Sequence, residues 1–398
     1  METRLLHTIM KVHTASFIIL LLSSTLPVKA QLNFDSLVIA SATVFNGNGK
    51  FIGKPWDQLV ERASKANYVL IGEDHFINEV PLFTQALVNS ISIDNYICEI
   101  DQWMLNIFKD KISSLTTLQL DKWISENYNG FSFFQKKNEF ELLHSLVDKK
   151  TNLIGTEQVG LMATTIIFQY LFETGSPQNK ALYKVMRDSS EAANNRFFAD
   201  HSKKYFLATP FFRESINQLS RFGMKEDESK LIDAITRSAD IYSTGNHRNR
   251  IKLMQSNLMD NYPETLKGKK NIFKFGANHT IRGESYIPVY DIGTTAHILA
   301  QAENGDSYHM LILPKAGNQA GFLGGSNPID YNDEFYKSLK PLLDKASDTA
   351  WTSIDLENVR NVARKQKHTI QNPFLEKTIK GYDVLIVIPV ASAADAVR

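Results

Sequence analysis

One cysteine, Cys98, occurs in 398 residues, so no disulfide forms within the chain and its core must hold the fold unaided. It lies in Asn95-Tyr96-Ile97-Cys98-Glu99-Ile100, which reads as a buried strand, and is taken as core filler rather than a nucleophile. Neither sign of charge is in excess. The 44 Lys and Arg against 43 Asp and Glu leave a formal charge of +1, which removes the global electrostatic case for nucleic acid or an anionic membrane as main partner. Clusters such as Lys267 to Lys270 then read as solvated loops. There is no Gly-x-Ser-x-Gly elbow and no His-Glu-x-x-His helix, which argues against a conventional serine esterase or zincin. Internal repeats and low-complexity tracts are also missing, and the 43% apolar and 22% charged fractions are those of an ordinary globular protein.

The first thirty residues read as targeting. A basic start, an apolar run from Ala15 to Leu22 and Val28-Lys29-Ala30 form a signal peptide with cleavage after Ala30, and Met10 offers a second, more compact start. The apolar run is too short to span a bilayer comfortably, and no cysteine follows to carry a lipid. An uncleaved anchor is the alternative. The expected mature chain, residues 31–398, is one domain that is secreted or periplasmic.

Short apolar runs alternate with amphipathic stretches, which predicts an α/β fold: a mixed, mostly parallel sheet with helices on both faces. Strands are expected at residues 68–71, 96–100, 152–155, 271–276, 289–300, 308–313 and 383–389, with helices near 79–88, 140–147 and 334–345. Residues 159–262 show helical periodicity throughout and read as an insertion packed over one sheet edge. The glycine-rich stretch 317–325 reads as an exposed loop.

Chemistry concentrates where strands end. Tyr68-Val69-Leu70-Ile71 runs into Gly72-Glu73-Asp74-His75, placing titratable groups where open α/β sheets bind ligands. Buried groups of this kind pair with each other, a metal or a substrate. The next strand ends in Glu99 and Asp101, and the third in Gly155-Thr156-Glu157. Glu99, expected on the neighbouring parallel strand, would orient His75 and raise its basicity, unless it caps the following helix. A later strand, Phe273-Lys274-Phe275-Gly276, leads to Asn278-His279, and Arg250, Met254 and Asn257 share one face of the helix before it. His247 lies on that face too. Phe133-Phe134, Phe197-Phe198 and Phe211-Phe212 are core or cleft lining.

These motifs resemble the superfamily of erythromycin esterases, ChaN-type haem-binding lipoproteins and TIKI proteases. Gly72-Glu73-Asp74-His75 is similar to its Gly-Glu-x-His opening, and Arg250-x-x-x-Met254-x-x-Asn257 with Asn278-His279 is similar to signals of the esterase branch. By that resemblance Glu99 falls at the catalytic glutamate, and Glu157 where an aspartate is common. The spacing of Glu73 and His75 is closer to the ChaN and TIKI patterns than to that of the macrolide-inactivating esterases.

Three activities stay open. In the leading one, an exported hydrolase uses His75 as general base, with Glu99 and His279, to activate water against an ester or lactone. Glu73, Glu157, Arg250 and Asn278 then bind substrate, stabilise the oxyanion or support the base. No cofactor is expected for this chemistry. In a TIKI-like metalloprotease, Glu73, His75 and His279 would hold a divalent ion; in a ChaN-like protein, the histidines would ligate haem without turnover. A silent relative, whose polar strand ends only satisfy each other, is the fourth possibility.

Overall fold

A computed structural model describes residues 33–47, 49–321 and 325–397. The expected signal peptide lies outside the described residues. Among the described residues no helix is long and apolar enough to cross a membrane.

The central sheet has eight strands: β1 (Ala42–Phe45), β2 (Tyr68–Glu73), β3 (Asn95–Cys98), β4 (Asn152–Gly155), β5 (Asn271–Gly276), β6 (Ser307–Pro314), β9 (Trp351–Asp355) and β10 (Val384–Ile388). Their order is β1-β9-β10-β6-β2-β5-β3-β4. From β10 to β4 every pairing is parallel, while β9 runs antiparallel to both β10 and β1, giving the mixed sheet expected. β2, β5 and β10 are buried along their whole length, which is why β10 reads as unbroken Val, Leu and Ile, and why β2 and β5 are mostly apolar rather than alternating.

Alternate residues of β2 point to opposite faces. Val69 and Ile71 join the larger core, whereas Tyr68 and Leu70 pack with Phe273, Phe275, Met254 and Ile292 on the other side. That second face is covered by helices His247–Asn261 and Ile292–Ala302. The second is a correction: residues 289–300, expected as strand, form the helix Ile292–Ala302. Asp291 caps it, Ala296 packs on the sheet, and Gly293 lies close against the backbone of Thr280 and Ile281. The stretch 317–325 also departs from a plain loop, because β7 (Asn318–Ala320) pairs with β8 (Ser326–Pro328).

Between Val159 and Tyr262 the chain forms helices Thr164–Thr174, Lys180–Ala199, Pro210–Phe222, Glu226–Thr244 and His247–Asn261 with no strand. The last of these matters for the site, because it carries Arg250 and leads directly into β5.

Candidate active site

Glu73 is the last residue of β2 and is still buried. Its Oε1 lies 2.8 Å from Nδ1 of His75, two residues on. An ionised carboxylate only accepts, so Nδ1 carries the proton and Nε2 is left with the lone pair. The imidazole packs on Phe133, ring centroids 4.5 Å apart. The next residue, Phe76, has φ +64°, an unfavourable backbone for a bulky side chain. Hydrogen bonds from Ala320 N (3.0 Å) and Ala394 N (2.9 Å) to its carbonyl fix that turn.

β5 lies between β2 and β3, so Glu99 does not approach His75 from an adjacent strand as the sequence led us to expect. The two meet across Gly276, where a Cβ would stand 2.7 Å from His75 Nε2. With only hydrogen there, Glu99 Oε2 comes within 3.7 Å of His75 Nε2 and accepts the Gly276 N–H at 2.8 Å. The carboxylate that orients His75 is therefore Glu73, and Glu99 faces the opposite nitrogen. Glu99 does not cap the following helix either: Asp101 does, accepting from Met104 N at 2.9 Å.

His279, in the short helix Ala277–Thr280, repeats the arrangement. Its Nδ1 lies 2.9 Å from Oδ2 of the fully buried Asp291, and its Nε2 lies 3.5 Å from Glu99 Oε1. Two imidazoles, each tied at Nδ1 to its own carboxylate, thus present Nε2 to the two oxygens of Glu99. Burial opposes charge at both histidines, but Glu73 and Glu99 raise the pKa of His75, and Glu99 and Asp291 raise that of His279. Burial would likewise raise Glu99. The charges of His279, His75 and Arg250 instead hold it well below the usual carboxylate range. Sequence reasoning missed Asp291. Its signal was an Asp immediately ahead of a small, apolar helical run.

Arg250 enters from helix His247–Asn261, which is docked by Asn257 Nδ2 donating to Thr156 O at 2.8 Å. Its Nε is 3.0 Å from both oxygens of Glu157, and its Nη2 donates to Glu157 and, at 2.6 Å, to Glu99. Nη1 is directed towards His279 Nε2 at 3.4 Å. Beneath His75, Lys274 of β5 bridges Glu73 Oε2 (2.7 Å) and Glu139 Oε1 (2.6 Å). Neither Lys274 nor Glu139 was singled out from the sequence, although a lysine inside Ile-Phe-Lys-Phe-Gly needs a buried partner.

All seven residues singled out from the sequence converge, and six of them, Glu157 apart, line one cavity of about 780 Å³ at the carboxyl ends of the strands. Aromatic residues Tyr286, Phe335 and Phe374 form its far wall, a size and character suited to a small organic molecule. Asn278 Oδ1 is buried without a hydrogen-bond partner among the described residues, an acceptor or flipped donor at the cavity wall. His247 also reaches the cavity, its ring centroid 5.9 Å from that of His279, and burial with the neighbouring His279 and Arg250 lowers its pKa. Asp74 also lines the cavity and accepts from Tyr336 OH at 2.6 Å. Cys98 is buried, and burial pushes its thiol up, out of reach of a thiolate role.

The donor set does not fit a divalent ion. Glu73 spends one oxygen on His75 and the other on Lys274, and Glu99 is taken by Arg250 and Gly276 N–H. Two fixed cations already neutralise the carboxylates a metal would need. Among the described residues no three His, Cys, Asp or Glu side chains are arranged to hold a metal.

Fold and cavity together define an α/β protein with a carboxylate-histidine site at its strand ends. No protein-family model matches the chain, and no curated protein matches its sequence significantly. Among solved structures, a histidine-to-asparagine variant of the erythromycin esterase EreC in its open conformation aligns with TM-score 0.57 and 13% identity over 90% of this chain and 99% of its own. A succinoglycan biosynthesis protein aligns with TM-score 0.56 and 14% identity, over 93% and 99%. A Bacillus cereus protein gives TM-score 0.53 and 14% identity, over 91% and 98%. The chain therefore shares its fold with these three proteins, an erythromycin esterase among them.

Proposed function

We propose that this protein is an exported hydrolase that cleaves an ester or lactone of a small molecule with water activated at His75. The observation that carries the reading is the pair of Nδ1-anchored imidazoles facing one carboxylate in the wall of the cavity. Glu73 fixes the His75 tautomer, so Nε2 takes the proton of an attacking water. Arg250 Nη1 and Asn278 border the same space and serve the carbonyl oxygen as negative charge develops. His75 returns that proton to the departing alkoxide, His279, held by Asp291, borders the reacting carbonyl, and Glu99 keeps both imidazoles basic.

The mechanism routes no step through a metal, since Arg250 supplies the positive charge at the cavity wall. Residues 1–30 direct the chain to the periplasm or the exterior. The shared fold with an erythromycin esterase supports a small-molecule ester as substrate; which ester is left to a screen.

The test is a panel of lactones and aryl esters given to the mature chain, to His75→Ala and to His279→Ala. At least one substrate should be turned over, with each variant slower by about 10²–10⁴-fold while its melting temperature stays within a few degrees. Full activity in His75→Ala would sink the assignment.

A further inference from the structure

The Glu73–His75 pair is underlain by two buried charged groups to which the mechanism above gives no proton-transfer role. Glu139 of helix Lys137–Asp148 lies 2.6 Å from Lys274, Lys274 lies 2.7 Å from Glu73, and Glu73 lies 2.8 Å from His75. The Glu73 and Lys274 side chains are 5% exposed and that of Glu139 10%, so water does not screen their charges. From these contacts we infer that Lys274 and Glu139 are positioning residues that set the proton affinity of His75. This rests on the reading of His75 as the base.

The argument is one of charge count. With Glu139 ionised against Lys274, which offsets the burial that raises its pKa, the four groups sum to zero when His75 is protonated and leave one buried negative charge when it is neutral. Lys274 keeps Glu73 ionised in a place where burial alone would protonate it. Left with Glu73 as its sole partner, however, Lys274 would cancel the charge that His75 needs. Glu139 takes half of the lysine's attention from the other side and restores the pull of Glu73 on the imidazole.

Other groups face the chain and are common to every variant. Glu99 faces His75 from the end of β3, and Asp74 adjoins it on β2's loop. Tyr96 and Cys98 of β3 lie near Glu139 and Lys274, both held neutral by burial. The remaining neighbours of His75, Phe76 and Phe133, are apolar rings.

Opposite substitutions should therefore move His75 in opposite directions. Lys274→Met removes the one cation beside Glu73 and should raise the His75 titration midpoint by about a unit or more. Glu139→Gln frees Lys274 to neutralise Glu73 and should lower it. The double variant Lys274→Met/Glu139→Gln removes one charge of each sign and should return the midpoint towards the wild-type value.

The readout is the titration of histidine ring protons by NMR in the mature chain, with His75 assigned by its loss in His75→Gln. It needs no substrate, so a failed screen for hydrolysis and a failed inference are separate results. If Lys274→Met does not fold, Glu139→Gln and the double variant carry the test. Opposed single-variant shifts, or a downward shift in Glu139→Gln reversed in the double, support the inference. Midpoints that stay within a few tenths of a unit, or that all move the same way, overturn it.

Discussion

His75 and His279 differ in what each can lose. Glu73→Gln leaves His75 in place but removes the charge that raises its pKa, so the rise of kcat/KM with pH, which follows the neutral imidazole, should shift to lower pH. A pH profile of wild type and variant checks this; an unshifted profile means that His75 is not the group that titrates. Asp291→Asn should slow turnover about 10–100-fold with little change in KM, because His279 keeps its position but loses the partner that fixes its tautomer. The residues that converge at the cavity were largely legible in the sequence. Glu73, His75, Glu99, Glu157, Arg250, Asn278 and His279 are polar groups at strand ends or on a core helix face, positions where a polar side chain needs a reason. Their pairing was not legible, because Glu73 and Glu99 exchange roles only once the tertiary position of Gly276 is known.

At the level of elements, one glycine decides whether two strand ends share a site. Gly276→Ala would drive a methyl carbon to 2.7 Å from His75 Nε2, so turnover should fall sharply while strand β5, buried throughout, keeps the fold. Crystallography or NMR of the variant should show His75 displaced from Glu99; an undisturbed ring with normal activity contradicts this account. Arg250→Met leaves Glu99 and Glu157 facing each other without a cation, and should destabilise the protein by about 3–5 kcal/mol, somewhat less for the partial exposure of the guanidinium. Denaturant melts measure it directly. The helices of residues 159–262 followed from periodicity. The helix Ile292–Ala302 did not, since Ile, Gly, Thr, Ala and Leu in short runs suit a buried strand equally well and length alone does not separate the two.

For the whole molecule, strand order is what sequence pattern could not supply. The insertion of β5 between β2 and β3 brings residues 177 positions apart into one hydrogen-bonded centre, as Gly276 N–H on Glu99 shows. The same centre makes stability pH-dependent. Glu73 and Glu99 have folded-state values below their ordinary 4.5, so their contribution is present above that pH and fades as acid titrates them in the folded state. His75 and His279 have folded-state values above their ordinary 6.5, so their contribution is complete below 6.5 and is lost as pH rises through the folded values. The cluster's contribution should therefore peak between about pH 4.5 and 6.5, and melting temperature measured across pH should decline on both sides. Because Cys98 is the single cysteine, reductant should leave that curve unchanged.

The most direct test of the central claim is the hydrolysis rate of chelator-dialysed mature protein on its best ester, with and without added divalent ions, beside His75→Gln. The account predicts full activity without metal, no gain on adding it, and near-complete loss in the variant. Activity that returns only with a divalent ion, or that survives in His75→Gln, contradicts water activation by the Glu73–His75 pair.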